Sequence, residues 1–330
     1  MKRYVLLCFI TIFASNLTAQ VYYEGNGRQL DCDTMQDQIS PSNYIQYLQY
    51  DSKTTVTMYG DSRSDFGDFP PYNYTNMNAL VGADIVNWNV QNFGVAGWTT
   101  SDLIDHLLKC FVVFPNGSPV NPNYITANKV AFEIGGNDMY YASPFFYVAP
   151  WLVAMAVERA RTNVERIISV FQRRNKKILL IGNYPAGGIV SQGKNFSEPL
   201  KTPLLSLGFA TSLGMGALEG YYPEMSSRRQ IEYLRVWDEL ALFPGALVPR
   251  ADLTFIDLIH PSPAGFQVWG RAVGNKFRSL GWHVPDTLPE APPPDIDDTI
   301  PDGTINPTPP PPPPLLDPLL LCFLLKICHQ

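Results

Sequence analysis

The strongest constraint on this chain is an alternation: five short runs of β-branched and aliphatic residues, separated by stretches with helical periodicity. The runs are Thr54–Tyr59, Asp84–Val90, Lys129–Ile134, Lys176–Ile181 and Leu253–Leu258, each of strand length and flanked by turn-forming residues. Helices are expected at Ser101 to about Phe111, Trp151–Arg174, Ser227–Leu242 and after Pro263. The second is the best marked, because Val157, Val164, Ile167, Ile168 and Phe171 recur at three- and four-residue steps while Glu158, Arg161, Glu165 and Arg173 fall elsewhere. The third is expected to open on a capping box, Ser227-x-x-Gln230, with Ile231, Leu234 and Trp237 on one stripe. Strands alternating with helices of this length imply right-handed crossovers and a parallel five-stranded sheet. Ligands of such sheets bind at the carboxyl ends of the strands, so the chemistry is expected in the loops there. Gly182–Tyr222 has no firm period and reads as an insertion near that edge.

Composition agrees with a large core. Hydrophobic residues make up 45% of the 330 and charged residues only 16%, which excludes a disordered chain or a small disulfide scaffold. The formal net charge of −6 is unevenly spread, for seven carboxylates and no Lys or Arg lie between Trp282 and Leu325. The rest of the chain is near neutral and has no basic cluster, so nucleic acid is not an expected partner.

The ends read differently from the middle. Residues 1–19 have the form of a signal peptide: Lys2 and Arg3, an apolar run from Tyr4 to Ala14 that is too short for a bilayer, and Leu17-Thr18-Ala19 before a cut at Gln20. The mature chain is therefore expected to be secreted or attached to the cell envelope. The main folded domain is expected over 20–284, with an extended lead to about residue 50. Residues 285–314 are read as an acidic, proline-rich spacer, since 14 of the 30 prolines lie between Pro285 and Pro318. Residues 315–330 form a short apolar tail, interrupted by Pro318 and Lys326. Contact of this tail with a membrane or a surface partner and an incidental extension are both compatible with it. Cys32 and Cys110 are compatible with a disulfide, given the compartment, or with two buried thiols. No cysteine and histidine spacing fits a zinc site.

Four segments at the expected strand ends carry residues with a chemical use. Gly60-Asp61-Ser62-Arg63-Ser64-Asp65 places Ser62 in a strand-to-helix turn, where a hydroxyl can be presented and a backbone N–H is spare. Asn92 to Thr100 contains Gly97, whose N–H can point at a ligand. Gly135-Gly136-Asn137-Asp138 offers the Asn137 amide as a donor to developing negative charge. Asp257-Leu258-Ile259-His260-Pro261-Ser262-Pro263 puts a carboxylate three residues before a histidine, close enough to fix its tautomer, and then caps a helix with Ser262 and Pro263. His106, His283 and His329 are less suitably placed, which leaves His260 as the general base. Each segment alone is ordinary turn chemistry; the set, in this order, is specific.

With these four blocks the sequence resembles the SGNH hydrolases, the GDSL esterase/lipase family, over roughly Lys53 to Leu280. The resemblance implies a flavodoxin-like three-layer α/β/α sandwich. It implies Ser62 as nucleophile, His260 as base, Asp257 as its orienting acid, and the Ser62 N–H, Gly97 N–H and Asn137 side chain as the oxyanion hole. It further implies a carboxylic ester substrate, whether a small molecule, a lipid or an acylated glycan, and chemistry that needs no metal or organic cofactor. The alternative is a catalytically silent surface binding protein on the same scaffold, which would have no need of Asp257, His260 and Ser62 together. Arg63 departs from the apolar residue common after the serine, and is expected to make the entrance more cationic.

Overall fold

The computed structural model describes residues 54–64, 89–110, 126–146, 149–186, 198–254 and 259–284. All of these belong to one unit of the chain, Met1–Pro294; no residue of the second unit, Asp295–Gln330, is among them. The signal peptide, the extended lead, the spacer, the tail and the Cys32–Cys110 pairing thus lie outside the described residues or side chains. No helix among the described residues is long and apolar enough to cross a membrane.

Five strands form one sheet: β1 (Thr54–Gly60), β2 (Asn89–Gly94), β3 (Lys129–Glu133), β4 (Lys177–Ile181) and β5 (Glu232–Leu234). Their order is β2-β1-β3-β4-β5 and every pairing is parallel. This is the flavodoxin-like doubly wound order expected for the chain. Side chains alternate across the sheet as the two-residue period of a strand requires. Tyr59, Phe93, Val130, Phe132 and Leu180 enter one core with Val164, Ile167, Ile168 and Phe171. Val56, Met58, Val90, Ala131, Leu179 and Ile181 enter a second core with Phe266, Trp269, Val273 and Phe277. Burial on both faces explains why β4 after Lys177 and the middle of β3 read as unbroken apolar runs and why β1 is largely β-branched and carries no charge.

The helices are α1 (Thr100–Cys110), α2 (Gly136–Ala142), α3 (Pro150–Arg173), α4 (Glu198–Arg229), α5 (Trp237–Leu240) and α6 (Pro263–Ser279). Pro150 opens α3 at a position whose N–H has no intrahelical partner. The helix stops where Asn175 turns left-handed at φ 53° and Lys176 N–H returns to the Phe171 carbonyl.

Four expectations need correction. The second strand runs Asn89–Gly94, beyond the expected Asp84–Val90, so Asn92 to Gly94 lies in the sheet and not in the loop after it. The fifth strand is Glu232–Leu234, not Leu253–Leu258. Leu253 instead ends a 3-10 turn, Ala251–Leu253, and residues 255–258 are not described. No helix starts at Ser227. That residue lies in the last turn of α4, and Gln230 leaves it at φ 55°, with Ile231 N–H bonded to the Ser226 carbonyl. Much of the expected insertion, Gly182–Tyr222, is therefore α4. Its period is hidden because several of its sides are covered: Ala210, Thr211, Ser212, Met215, Leu218, Glu219, Tyr222 and Met225 are all buried. Gly214 lets Met139 approach so closely that a Cβ there would lie 2.8 Å from its sulfur.

Candidate active site

The strand register brings Gly60 level with Gly94 on one side and Glu133 on the other, and Ile181 level with Leu234. The first three sequence blocks follow directly from this edge. At Gly60 the chain leaves β1 into a tight turn, with Ser64 N–H bonded to the Asp61 carbonyl at 3.0 Å. No larger residue fits at 60, since a Cβ would stand 2.2 Å from Ser64 Oγ and 2.8 Å from the Glu133 carbonyl oxygen. The turn leaves Ser62 half-buried while Asp61, Arg63 and Ser64 on either side of it are buried.

His260 reaches Ser62 from the far end of the chain. Its Nε2 lies 2.6 Å from Ser62 Oγ, a hydrogen bond in which the imidazole accepts the hydroxyl proton when Nδ1 carries the ring hydrogen. The surrounding segment is fastened at several points. Thr254 and Pro261 form an antiparallel bridge, and Ser262 N–H bonds the Leu253 carbonyl at 2.8 Å. Ser262 caps α6 by accepting from Gly265 N–H at 3.2 Å, as the Ser-Pro pair predicts. Asp257 lies outside the described residues.

The second block forms a turn in which Trp98 N–H bonds the Val95 carbonyl and Gly97 adopts φ 84°, a left-handed conformation suited to glycine. Val95 N–H bonds the Gly60 carbonyl at 3.1 Å, tying this block to the first. Thr99 then caps α1 reciprocally with Asp102: the Thr99 N–H and hydroxyl both donate to Asp102 Oδ2 at 2.7 Å.

The third block opens α2 after Gly135, whose φ of 110° again demands glycine. Asn137 Nδ2 donates to the Trp98 carbonyl at 2.8 Å. Asp138 turns inward and accepts from both the N–H and the hydroxyl of Thr100, each at 2.8 Å. The loops bearing Gly97 and Asn137 are thereby stapled together. Burial pushes the Asp138 carboxyl up to about 6 against these two hydrogen bonds.

Beside Ser62 lies a buried polar cluster that sequence reasoning missed. Arg63, expected at the entrance, is 4% exposed and is buried beside Ser62. It donates to Asp61 through Nε at 2.9 Å and Nη2 at 2.8 Å, and to Asn183 Oδ1 through Nη1 at 3.0 Å. Its Nη2 is also 2.5 Å from Glu133 Oε2. Burial alone would depress the guanidinium, but Asp61 and Glu133 outweigh it and hold Arg63 firmly charged. Glu133 is pushed upward by burial, with Arg63 opposing and Asp61 adding to the rise. The network continues away from the site. Asn183 Nδ2 donates to Tyr222 Oη at 3.3 Å, and Asn183 N–H and Tyr233 Oη both donate to Glu219. The available signal was an acid ending the apolar run Lys129–Glu133 and an Asn just after Lys177–Ile181, polar residues where a buried strand end needs a partner.

Among the described residues, no group of three or more His, Cys, Asp or Glu is arranged to hold a metal ion. No family model matches the chain, and no curated protein sequence matches it. Solved structures are similar to it at low identity. One is described as a lipolytic protein of the G-D-S-L family from Desulfitobacterium hafniense, 15% identical over 68% of this chain and 98% of that one, with a TM-score of 0.45. A GDSL-like lipase from Bacteroides thetaiotaomicron is 12% identical over 76% of this chain and 98% of its own, with a TM-score of 0.47. An acetylxylan esterase from Geobacillus stearothermophilus is 17% identical over 70% and 95%, with a TM-score of 0.40.

Proposed function

We propose that the chain is an exported serine ester hydrolase of the SGNH type, cleaving carboxylic esters through an acyl-enzyme. The observation that carries this reading is the 2.6 Å hydrogen bond between Ser62 and His260, residues 198 positions apart, at the carboxyl edge of a parallel sheet. A serine hydroxyl is a weak nucleophile until a base takes its proton as it attacks. His260 is placed to do so, and the same imidazolium then returns the proton to the departing alkoxide. The negative charge that develops on the carbonyl oxygen is assigned to the Ser62 N–H, the Gly97 N–H and the second N–H of the Asn137 amide, whose first N–H is used on Trp98. Asp257 is assigned as the acceptor of the imidazole Nδ1–H. Water, activated by His260, then releases the acyl group and restores Ser62.

The reading is tested with a fluorophosphonate, which phosphonylates an activated serine, and a p-nitrophenyl ester series from acetate to palmitate. The wild type is expected to be labelled and to hydrolyse at least one ester; Ser62→Ala should do neither above the level of solvent. Equal labelling of both proteins removes Ser62 from the mechanism. Acetylated xylan, run beside the series, separates a glycan deacetylase from an enzyme that prefers aliphatic or lipid esters.

A further inference from the structure

We infer that Glu133 and Arg63 form a clamp that aims the Ser62 N–H at the oxyanion, and so act as positioning residues; this rests on the hydrolase reading above. Glu133 Oε1 accepts from Asp61 N–H at 3.2 Å and from Ser64 Oγ at 2.9 Å. A single carboxylate oxygen therefore joins the residue before the nucleophile to the residue two after it. Inside that bracket, Ser64 N–H holds the Asp61 carbonyl at 3.0 Å. That carbonyl shares a peptide plane with the Ser62 N–H, and in a trans peptide the two point in opposite directions. Pinning the first directs the second.

Arg63 completes the clamp. Its own N–H donates to Asp61 Oδ1 at 3.0 Å, which draws the Asp61 side chain into the turn. Its guanidinium forks onto both oxygens of Asp61 and ion-pairs with the second oxygen of Glu133, so Asp61 is held by donors of fixed direction and Glu133 by Asp61 N–H, the Ser64 hydroxyl and the Arg63 charge. Stability alone is a poor account of such a cluster, because apolar side chains of similar volume commonly serve as well as buried ion pairs. What the charged set supplies is orientation. The glycine at 60 belongs to the same device, since a Cβ there would lie 2.6 Å from the clamping Glu133 oxygen.

Two variants of the full chain test this. Arg63→Lys keeps the charge but loses the fork, and Ser64→Ala removes one arm of the bracket while leaving its backbone bond. Three readouts are taken: kcat and KM on p-nitrophenyl acetate, the rate constant for fluorophosphonate labelling, and hydrogen exchange of the peptide carrying the Asp61, Arg63 and Ser64 amides. Arg63→Lys is expected to lose roughly 10- to 100-fold in kcat and in labelling rate with KM within about twofold, the signature of a displaced transition-state donor. Ser64→Ala should move the same way by less, and exchange should quicken in both. Variants that lose only thermal stability, or that exchange faster at unchanged kcat, overturn the clamp. If Arg63→Lys does not fold, Ser64→Ala decides alone. Should the wild type neither hydrolyse nor label, the hydrolase reading fails, and exchange by itself judges the clamp: amides as protected in the variants as in the wild type reject it.

Discussion

At Asn137, one side-chain hydrogen bond turns a rotating amide into an aimed one. The donation to the Trp98 carbonyl at 2.8 Å fixes the plane of the amide, and an amide has a second N–H to direct. Asn137→Ala is expected to lower kcat by about 10²–10³, the usual loss for one oxyanion donor. It should cost only about 1 kcal/mol of stability, the net value of one ordinary hydrogen bond. Steady-state kinetics beside a urea melt checks both, and a folded variant within twofold of wild-type kcat reduces Asn137 to a turn residue. At this scale the sequence pointed to the Ser62 and His260 pair more clearly than to the polar groups around it. Ser62 was placed by the strand before it, whereas the strand expected before His260 is absent among the described residues, and the pairing of the two side chains rests on residue type and on the Ser262-Pro263 cap that follows. The burial of Arg63 was not legible, because arginine is rarely buried without partners, and besides neighbouring Asp61 these are Asn183 and Glu133, 120 and 70 positions away at or just beyond the ends of other strands.

Elements were legible where their burial leaves a clear pattern, and α4, covered on several sides, left none. The central strands β1, β3 and β4 and the helices α1 and α3 lie close to their expected limits, because a two-sided strand and a one-sided helix each leave a clear pattern. The two edge strands did not. β2 carries Asn89, Gln91 and Asn92, and β5 is three residues long with Glu232 at its start, both tolerable at an edge that pairs on one side only. The join between α1 and α2 yields a prediction about pH. Asp138 is 1% exposed and its carboxyl, ordinarily near 3.9 in an unfolded chain, titrates in the fold at about 6 because of burial. Between about pH 4 and 6 the native state thus binds more protons here than the unfolded state, and this group's contribution to stability falls as pH rises. The loss amounts to roughly 3 kcal/mol once the group is ionised in both states. Asp138→Asn abolishes the titration while retaining one acceptor oxygen for Thr100. Urea midpoints at pH 4.5 and pH 7 should therefore differ less in the variant than in the wild type. Equal differences in the two proteins would show that burial of Asp138 does not govern its titration.

For the molecule as a whole, the question is where the folded unit stops. The last described segment is firmly part of the second core. Trp282 is 5% exposed and stacks on Phe277 with ring centres 5.8 Å apart, and Lys129 Nζ reaches across from β3 to donate to the Val284 carbonyl at 2.5 Å. Immediately afterwards the composition changes to proline and carboxylates. The reading of residues 285–314 as a spacer, poor in N–H groups and rich in like charges, predicts that the folded unit does not need them. Two truncations of the chain from Gln20 should therefore behave very differently. One ending after Val284 retains all five strands and all four blocks, and is expected to hydrolyse a soluble short-chain ester at close to the full-length rate. One ending after Ser279 loses Trp282 and the Lys129 contact. Removal of a buried Trp side chain alone costs about 3–5 kcal/mol, a large share of a domain's margin of roughly 5–15 kcal/mol, so this chain should melt far earlier and accumulate poorly. Thermal melts and p-nitrophenyl acetate turnover of the two proteins make the comparison. If the chain ending at Val284 is unfolded or nearly inactive, the proline-rich segment is part of the enzyme and the catalytic unit extends beyond Val284.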